Sequence, residues 1–311
     1  MVDNQKKKGF LFAFIGAVVL SLTAIFIRYL TQVYKLPALV LAYWREMMVA
    51  IGLGTYFLIS KKKQLFGIRG QAGFLVLYGF ILALFNALWT LSVSLNGAAV
   101  ATVLVYSSAG FGVILGWFIL NEPFTLKKII ATLMSLAGCV LVANVFDIGL
   151  WQVNPVGLVT GTASGIFYAL YGIMGKSATK RELNTWTTLM YIFGFASCFM
   201  LLFNLFSFGF IPGTARNPWD MFWLGKEWEG WVILLALALG PTLLGYGLYN
   251  AALEHLESSI TNLVVTIEPV FTAAIAYFLF AETLTCLQIS GSVLIMSAVL
   301  VLRLGKRRSD A

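Results

Sequence analysis

Glu268 is followed at once by Pro269 inside an apolar stretch, 259–280, where a carboxyl is out of place. A charge at the centre of a membrane-length helix costs about 2.5–3.5 kcal/mol on insertion scales, so such groups face an interior or a water-filled cavity. A carboxyl held there can take a proton or a cation. The structural alternative is a protonated cap on backbone carbonyls freed by Pro269. At helical spacing Glu268 shares a face with Thr261, Val265, Thr272 and Ile275. Arg45 and Glu46 are two more ionisable groups inside an apolar stretch. Neighbours in sequence point about 100° apart around a helix, which is poor geometry for a direct pair. Arg45 can instead hold a carboxylate through two parallel N–H bonds, or snorkel outward.

Polar and aromatic stripes accompany these groups. Asn86, Thr90 and Ser94 are spaced by four residues in one stretch, and Thr242, Tyr246, Asn250 and Glu254 in another, with Trp89 and Tyr249 beside them. Such stripes line a cavity or bond neighbouring helices. Tyr106, Ser108, Tyr168, Tyr171 and Trp44 join Trp89, Tyr249, Asn250, Asn86, Tyr246 and Arg45 as candidate substrate contacts. Glu268 is the candidate for proton or cation coupling. One acid among several aromatic faces suits an ammonium group. An amino acid fits as well, with Arg45 taking its carboxylate. Nothing resembles a phosphate loop, a metal cluster or a nucleophile–base pair, so no enzyme activity, cofactor or metal is expected.

These side chains sit in a chain of 311 residues, 60% hydrophobic and 11% charged. Soluble domains carry about 25% charged residues, so the lipid bilayer is the expected outer solvent. Apolar runs of about 20 residues mark spanning helices. They fall at 10–30, 38–60, 72–94, 98–120, 127–146, 155–176, 187–209, 230–253, 259–280 and 286–304. The net charge of +8 sits in short runs between them, as membrane loops require, and argues for headgroups rather than nucleic acid. Lys6-Lys7-Lys8, Lys61-Lys62-Lys63, Lys127-Lys128, Lys180-Arg181 and Lys306-Arg307-Arg308 all fall on one side if both termini are cytoplasmic. Cys139, Cys198 and Cys286 read as small apolar residues. The lone histidine, His255, reads as a solvated turn residue.

The stretch from Gly240 to Thr285 occurs once more upstream. Slid over it without a gap, Glu282 falls on Glu122, Thr285 on Thr125, Phe271 on Phe111 and Tyr249 on Trp89. Glu122 and Glu282 read as mainly structural helix stops. Two halves of five helices each begin on opposite sides, because five is odd. The expected fold is therefore an all-α integral membrane protein, ten transmembrane helices as two inverted five-helix repeats, 1–146 and 155–304. That arrangement puts a substrate site near the midplane, between the repeats.

The chain resembles the EamA type of the drug/metabolite transporter superfamily. The resemblance rests on Leu120-Asn121-Glu122-Pro123 and Phe280-Ala281-Glu282-Thr283 closing the fourth and ninth helices, on Glu268-Pro269-Val270-Phe271, and on Arg45 after Pro37. One departure is Ala109, where the first half usually has a proline; that half is expected to be straighter or differently hinged. The resemblance implies a secondary transporter, mostly an exporter of small metabolites, amino acids, amines or drugs across the inner membrane, alone or as a homodimer. Proton or exchange coupling is expected, and a multidrug or quaternary-ammonium transporter is the alternative. A membrane scaffold or enzyme is the remote one.

Overall fold

The computed structural model describes residues 2–60, 70–143, 154–207, 209–280 and 285–304. These are almost wholly helical. The first half runs α1 (Val2–Val33), α2 (Ala38–Ile59), α3 (Ala72–Tyr106), α4 (Ser108–Leu120) and α5 (Leu126–Val142). The second half runs α6 (Pro155–Lys180), α7 (Thr185–Phe206), α8 (Trp228–Leu237), α9 (Leu243–His255), α10 (Ser258–Val265), α11 (Glu268–Phe280) and α12 (Cys286–Leu304). Nine helical stretches among the described residues are long and apolar enough to cross a bilayer. The helix α5, 17 residues long and opening with Lys127 and Lys128, is shorter than the roughly 20 a bilayer asks for. Phe118, Leu133 and Val159 stand exposed on the outside of the bundle. The protein is a multi-pass membrane protein, and lipid covers such faces.

The turn expected between 94 and 98 is not a loop: α3 is helical straight through it. Yet the chain reverses there. Ser92 Oγ and Leu104 Cδ1 each come to 2.5 Å from where a Cβ on Gly161 would stand. On a straight helix they would be about 18 Å apart. Gly161 lets both arms of the bend press on α6, and Gly165 does the same for Ser107 and the carbonyls of Leu104 and Val105. Asn96 fastens the bend: its Oδ1 accepts from the Asn154 N–H at 2.8 Å and its Nδ2 donates to the Asn154 carbonyl. Asn154 in turn caps α6, ahead of Pro155, by accepting from Val156 and Gly157 N–H groups.

Both halves break a helix at matching places. In the second half α10 ends at Val265 and α11 starts at Glu268, with Pro269 in its first turn, where a missing N–H costs nothing. Glu268 therefore does not continue the face of Thr261 and Val265. In the first half α3 ends at Tyr106 and α4 starts at Ser108 without any proline. A hydroxyl sits at each. Ser107 Oγ donates to the Leu104 carbonyl, and Thr266 Oγ1 to the Leu263 carbonyl at 2.6 Å. A side chain that bonds the carbonyl three residues back loosens and bends a helix. The same contact sits inside unbroken helices at Ser21 and Ser164, so here it accompanies the break without fixing it. The half that lacks the proline is thus not the straighter one. Farther along, Gly240 and Pro241 turn the α8–α9 span π-helical over Ala238–Thr242.

At the end of the bundle that carries the N-terminus, Glu122 ties α4 to α10. Asn121 closes α4 in the left-handed region, which Asn tolerates, and the Glu122 N–H returns to the Gly116 carbonyl. The buried Glu122 carboxylate then accepts from the Ser258 N–H at 2.6 Å, the Ser259 N–H at 3.1 Å and the Ser259 hydroxyl. An anion there offsets the positive end of α10. Lys128 lies 3.7 Å from Glu122 and 2.6 Å from Glu257. Glu282, its expected counterpart, lies outside the described residues, as do Lys61–Lys63 and Lys306–Arg308.

Candidate functional site

A cavity of about 290 Å³ opens at the opposite end, beside the α1–α2 connection and Gly213. Its wall is mostly apolar, with Ile27, Leu41, Trp89 and Val93, and it contains Thr90 and the cation of Arg45. Six residues of α1 and α2 together with Trp89, Thr90 and Val93 of α3 make a slot that an apolar side chain fits. A wider hollow of about 620 Å³ at the N-terminal end, lined by Lys6, Glu182, Glu254 and His255, lies open to the surface.

Arg45 is 3% exposed and Glu46 fully buried. They meet through a third residue, Asn86 of α3. Arg45 Nη2 donates to Asn86 Oδ1 at 2.7 Å, and Asn86 Nδ2 donates to Glu46 Oε1 at 2.5 Å. The amide is fixed this way round, because a guanidinium only donates. Two atoms of this relay, Arg45 Nε and Glu46 Oε2, are buried without a hydrogen-bond partner. An unpaired buried charge is expensive, so the relay is poised for a further group.

The tyrosines gather elsewhere, in the middle of the bundle. Tyr168 stacks on Phe85 at 4.7 Å, and Tyr171 packs edge-on against Tyr246 and obliquely against Tyr78 and Tyr249. Asn250 closes their polar ends. Its Oδ1 accepts from Tyr78 at 3.1 Å, and its Nδ2 donates to the Tyr171 hydroxyl and the Tyr246 carbonyl. Tyr249 is 1% exposed and donates to Asn262 Oδ1 at 2.6 Å. Trp89 and Tyr249, matched between the halves in sequence, therefore do not face one cavity: Trp89 lines the slot and Tyr249 is core. Tyr246 bridges the two regions, lying within electrostatic reach of both Arg45 and Glu46.

Glu268 stands in the first turn of α11, where the helix dipole favours its charge. It is half-buried, and the Tyr106 hydroxyl of α3 is within hydrogen-bonding reach of it. Cys139, Tyr168 and Tyr246 are its other titratable neighbours. Thr266 Oγ1 serves the Leu263 carbonyl, whereas the carbonyl that Pro269 frees, four residues back, is that of Val265. Ser108 is 1% exposed with its Oγ unpaired. Trp44 anchors rather than lines: its Nε1 donates to the Met221 carbonyl at 2.5 Å, and its ring meets Phe222 and Trp231. Sequence reasoning missed Glu46 as a partner for Arg45. The signal was present in Asn86, on the polar stripe of a neighbouring helix.

A multi-pass helical bundle with a cavity entering its core beside a buried cation is the build of a membrane transporter. The chain belongs to the EamA-like transporter family, whose pattern matches residues 7–144 and again 155–304. It is similar to a "probable amino-acid metabolite efflux pump" of Salmonella typhimurium, with 26% identity over 96% of this chain and 95% of that one. It is also similar to an uncharacterized transporter of Archaeoglobus fulgidus, 24% identical over 71% of this chain and 74% of the relative. A solved crystal structure shares the fold at a TM-score of 0.75, covering 98% of this chain and 99% of the other at 15% identity.

Proposed function

We propose that the protein is a secondary transporter that exports a small organic metabolite bearing a carboxylate, of the amino-acid class, by alternating access. One observation carries the reading: Arg45, a buried cation with an unpaired Nε, forms part of the wall of an otherwise apolar slot. Arg45 receives the carboxylate and Trp89 covers the apolar side chain. A relative named as an amino-acid metabolite efflux pump supports the same class. The spans are ten, the fifth being α5, arranged as inverted halves 1–146 and 155–304. Both termini are cytoplasmic in the inner membrane, so the slot faces outward and Glu122 holds the inner side closed. Glu268, with Tyr106, is the proton or cation site.

Glu268 supports a second reading, in which the substrate is an amine or quaternary ammonium held by that carboxyl and the aromatic faces of Tyr168 and Tyr106. A ligand-induced thermal-stability screen of the purified protein separates the two. L-Leucine is expected to raise the unfolding temperature and its decarboxylated analogue 3-methylbutylamine to leave it unchanged. The reverse pattern would favour the amine reading and leave Arg45 without its role.

A further inference from the structure

We propose that Glu46 is a proton site linked to the carboxylate site at Arg45 through Asn86, so that a substrate carboxylate and one proton bind together. The inference rests on the reading of Arg45 as the carboxylate receptor and adds what must accompany it.

The argument begins with charge. Arg45 and Glu46 together are neutral, and Asn86 is oriented to suit both: its oxygen accepts from the cation and its nitrogen donates to the anion. Both residues lie out of water, so their charges are poorly screened. A carboxylate entering the slot onto Arg45 gives that cation two anions to serve. The relay then carries one net negative charge in an apolar interior, which is costly. A proton from solvent on Glu46 restores neutrality: Glu46 COO⁻ plus H⁺ gives COOH, and no other bond changes. Oε2, the atom without a partner, is the one free to carry it. Protonated Glu46 makes a weaker claim on Asn86, which lets Arg45 turn its donors toward the arriving carboxylate.

The surroundings leave the task to Glu46. Arg45 is the charged group that acts on it. Of the elements packed on α2, α3 carries Tyr78 besides Asn86, and α7 carries Tyr191 and Cys198. The π-helical turn carries nothing titratable, and α9 brings Tyr246. Glu227 and Glu229, at the start of α8, lie near Tyr34 at the outer rim. Glu268 is hydrogen-bonded by Tyr106 and, like Glu46, lies within electrostatic reach of Tyr246.

The test uses L-leucine and 3-methylbutylamine as probes of the purified full chain. Calorimetric titration in buffers of different ionisation heat counts protons bound per leucine. The proposal expects proton uptake on leucine binding in the wild type, and leucine affinity that rises as pH falls through the range in which Glu46 takes up its proton. In Glu46→Gln the uptake and the pH dependence should disappear while leucine still binds. Infrared difference spectra should show a new protonated-carboxyl band on adding leucine. That band should be missing in Glu46→Gln. Arg45-dependent leucine binding with no proton uptake would overturn the link and leave the carboxylate reading standing. Leucine that binds equally well to Arg45→Gln, or no better than the amine, would overturn both. The proton count in the wild type needs no variant, so misfolding of Glu46→Gln does not protect the proposal.

Discussion

Two polar clusters lie within one apolar bundle, and they are finished differently. Asn250 itself is complete: Tyr78, Tyr171 and the Tyr246 carbonyl use its oxygen and both its amide hydrogens, while Asn262, which accepts from Tyr249, keeps an unpaired Nδ2. Around Arg45 the same kind of relay ends in two unpaired atoms, one of them on the side chain of Arg45, which lines a cavity. The first cluster has the form of a clamp between α3, α6 and α9. The second has the form of a receptor. In a membrane interior, where water is not at hand to satisfy a polar group, completeness separates structural from functional polarity better than residue type does.

The contrast can be broken at several points. The largest effect is expected at Glu122. Glu122→Ala leaves the N–H groups of α10 unserved and one buried lysine short of a partner. It should cost about 3–5 kcal/mol, seen as a marked fall in unfolding temperature. A stability within a few tenths of wild type would show that this end is not held by Glu122. Next comes the clamp. Asn250→Leu takes one partner from each of the Tyr78 and Tyr171 hydroxyls, which keep only each other, at about 1–3 kcal/mol in all. Folded yield should drop while the leucine affinity of the folded fraction stays the same. An affinity loss without a stability loss would move Asn250 from clamp to receptor.

Smaller effects follow at the core edge and at the helix breaks. Tyr249→Phe keeps the ring stack and removes one hydrogen bond to Asn262, for about 1 kcal/mol, with binding unchanged. Weakened binding in that variant would restore Tyr249 to the cavity wall. Ser107→Ala frees the Leu104 carbonyl and should cost about 0.5–1.5 kcal/mol. If the break depends on that hydroxyl, hydrogen exchange should slow at Ser108–Gly110 as the helix straightens. Unchanged exchange would place the cause of the break elsewhere.

Much of this was legible in the sequence, and the exceptions have physical reasons. The apolar runs and basic flanks gave helix positions, because bilayer thickness sets helix length. The break at Pro269 was legible for the same reason that proline is disruptive anywhere. Its partner at Ser107 was not, since a serine bonded to the carbonyl three residues back also sits inside unbroken helices. The bend within α3 was expected as a loop; helical backbone carries it because Gly161 lets the two arms close on α6. Arg45 and Glu46 looked too badly placed to interact, and they do not touch directly. A residue 40 positions away in sequence joins them. Matching Trp89 to Tyr249 identified equivalent positions, but equivalence in a repeat does not make two side chains face one cavity.

The most direct test of the central claim is counterflow of labelled L-leucine into proteoliposomes loaded with unlabelled leucine, for wild type and Arg45→Gln. The account predicts counterflow in the wild type and a loss of tenfold or more in the variant, the order of a charged hydrogen bond worth roughly 1.5–3 kcal/mol. Labelled 3-methylbutylamine should not exchange. Equal leucine counterflow by both proteins, or exchange of the amine in preference to leucine, would contradict a carboxylate receptor at Arg45.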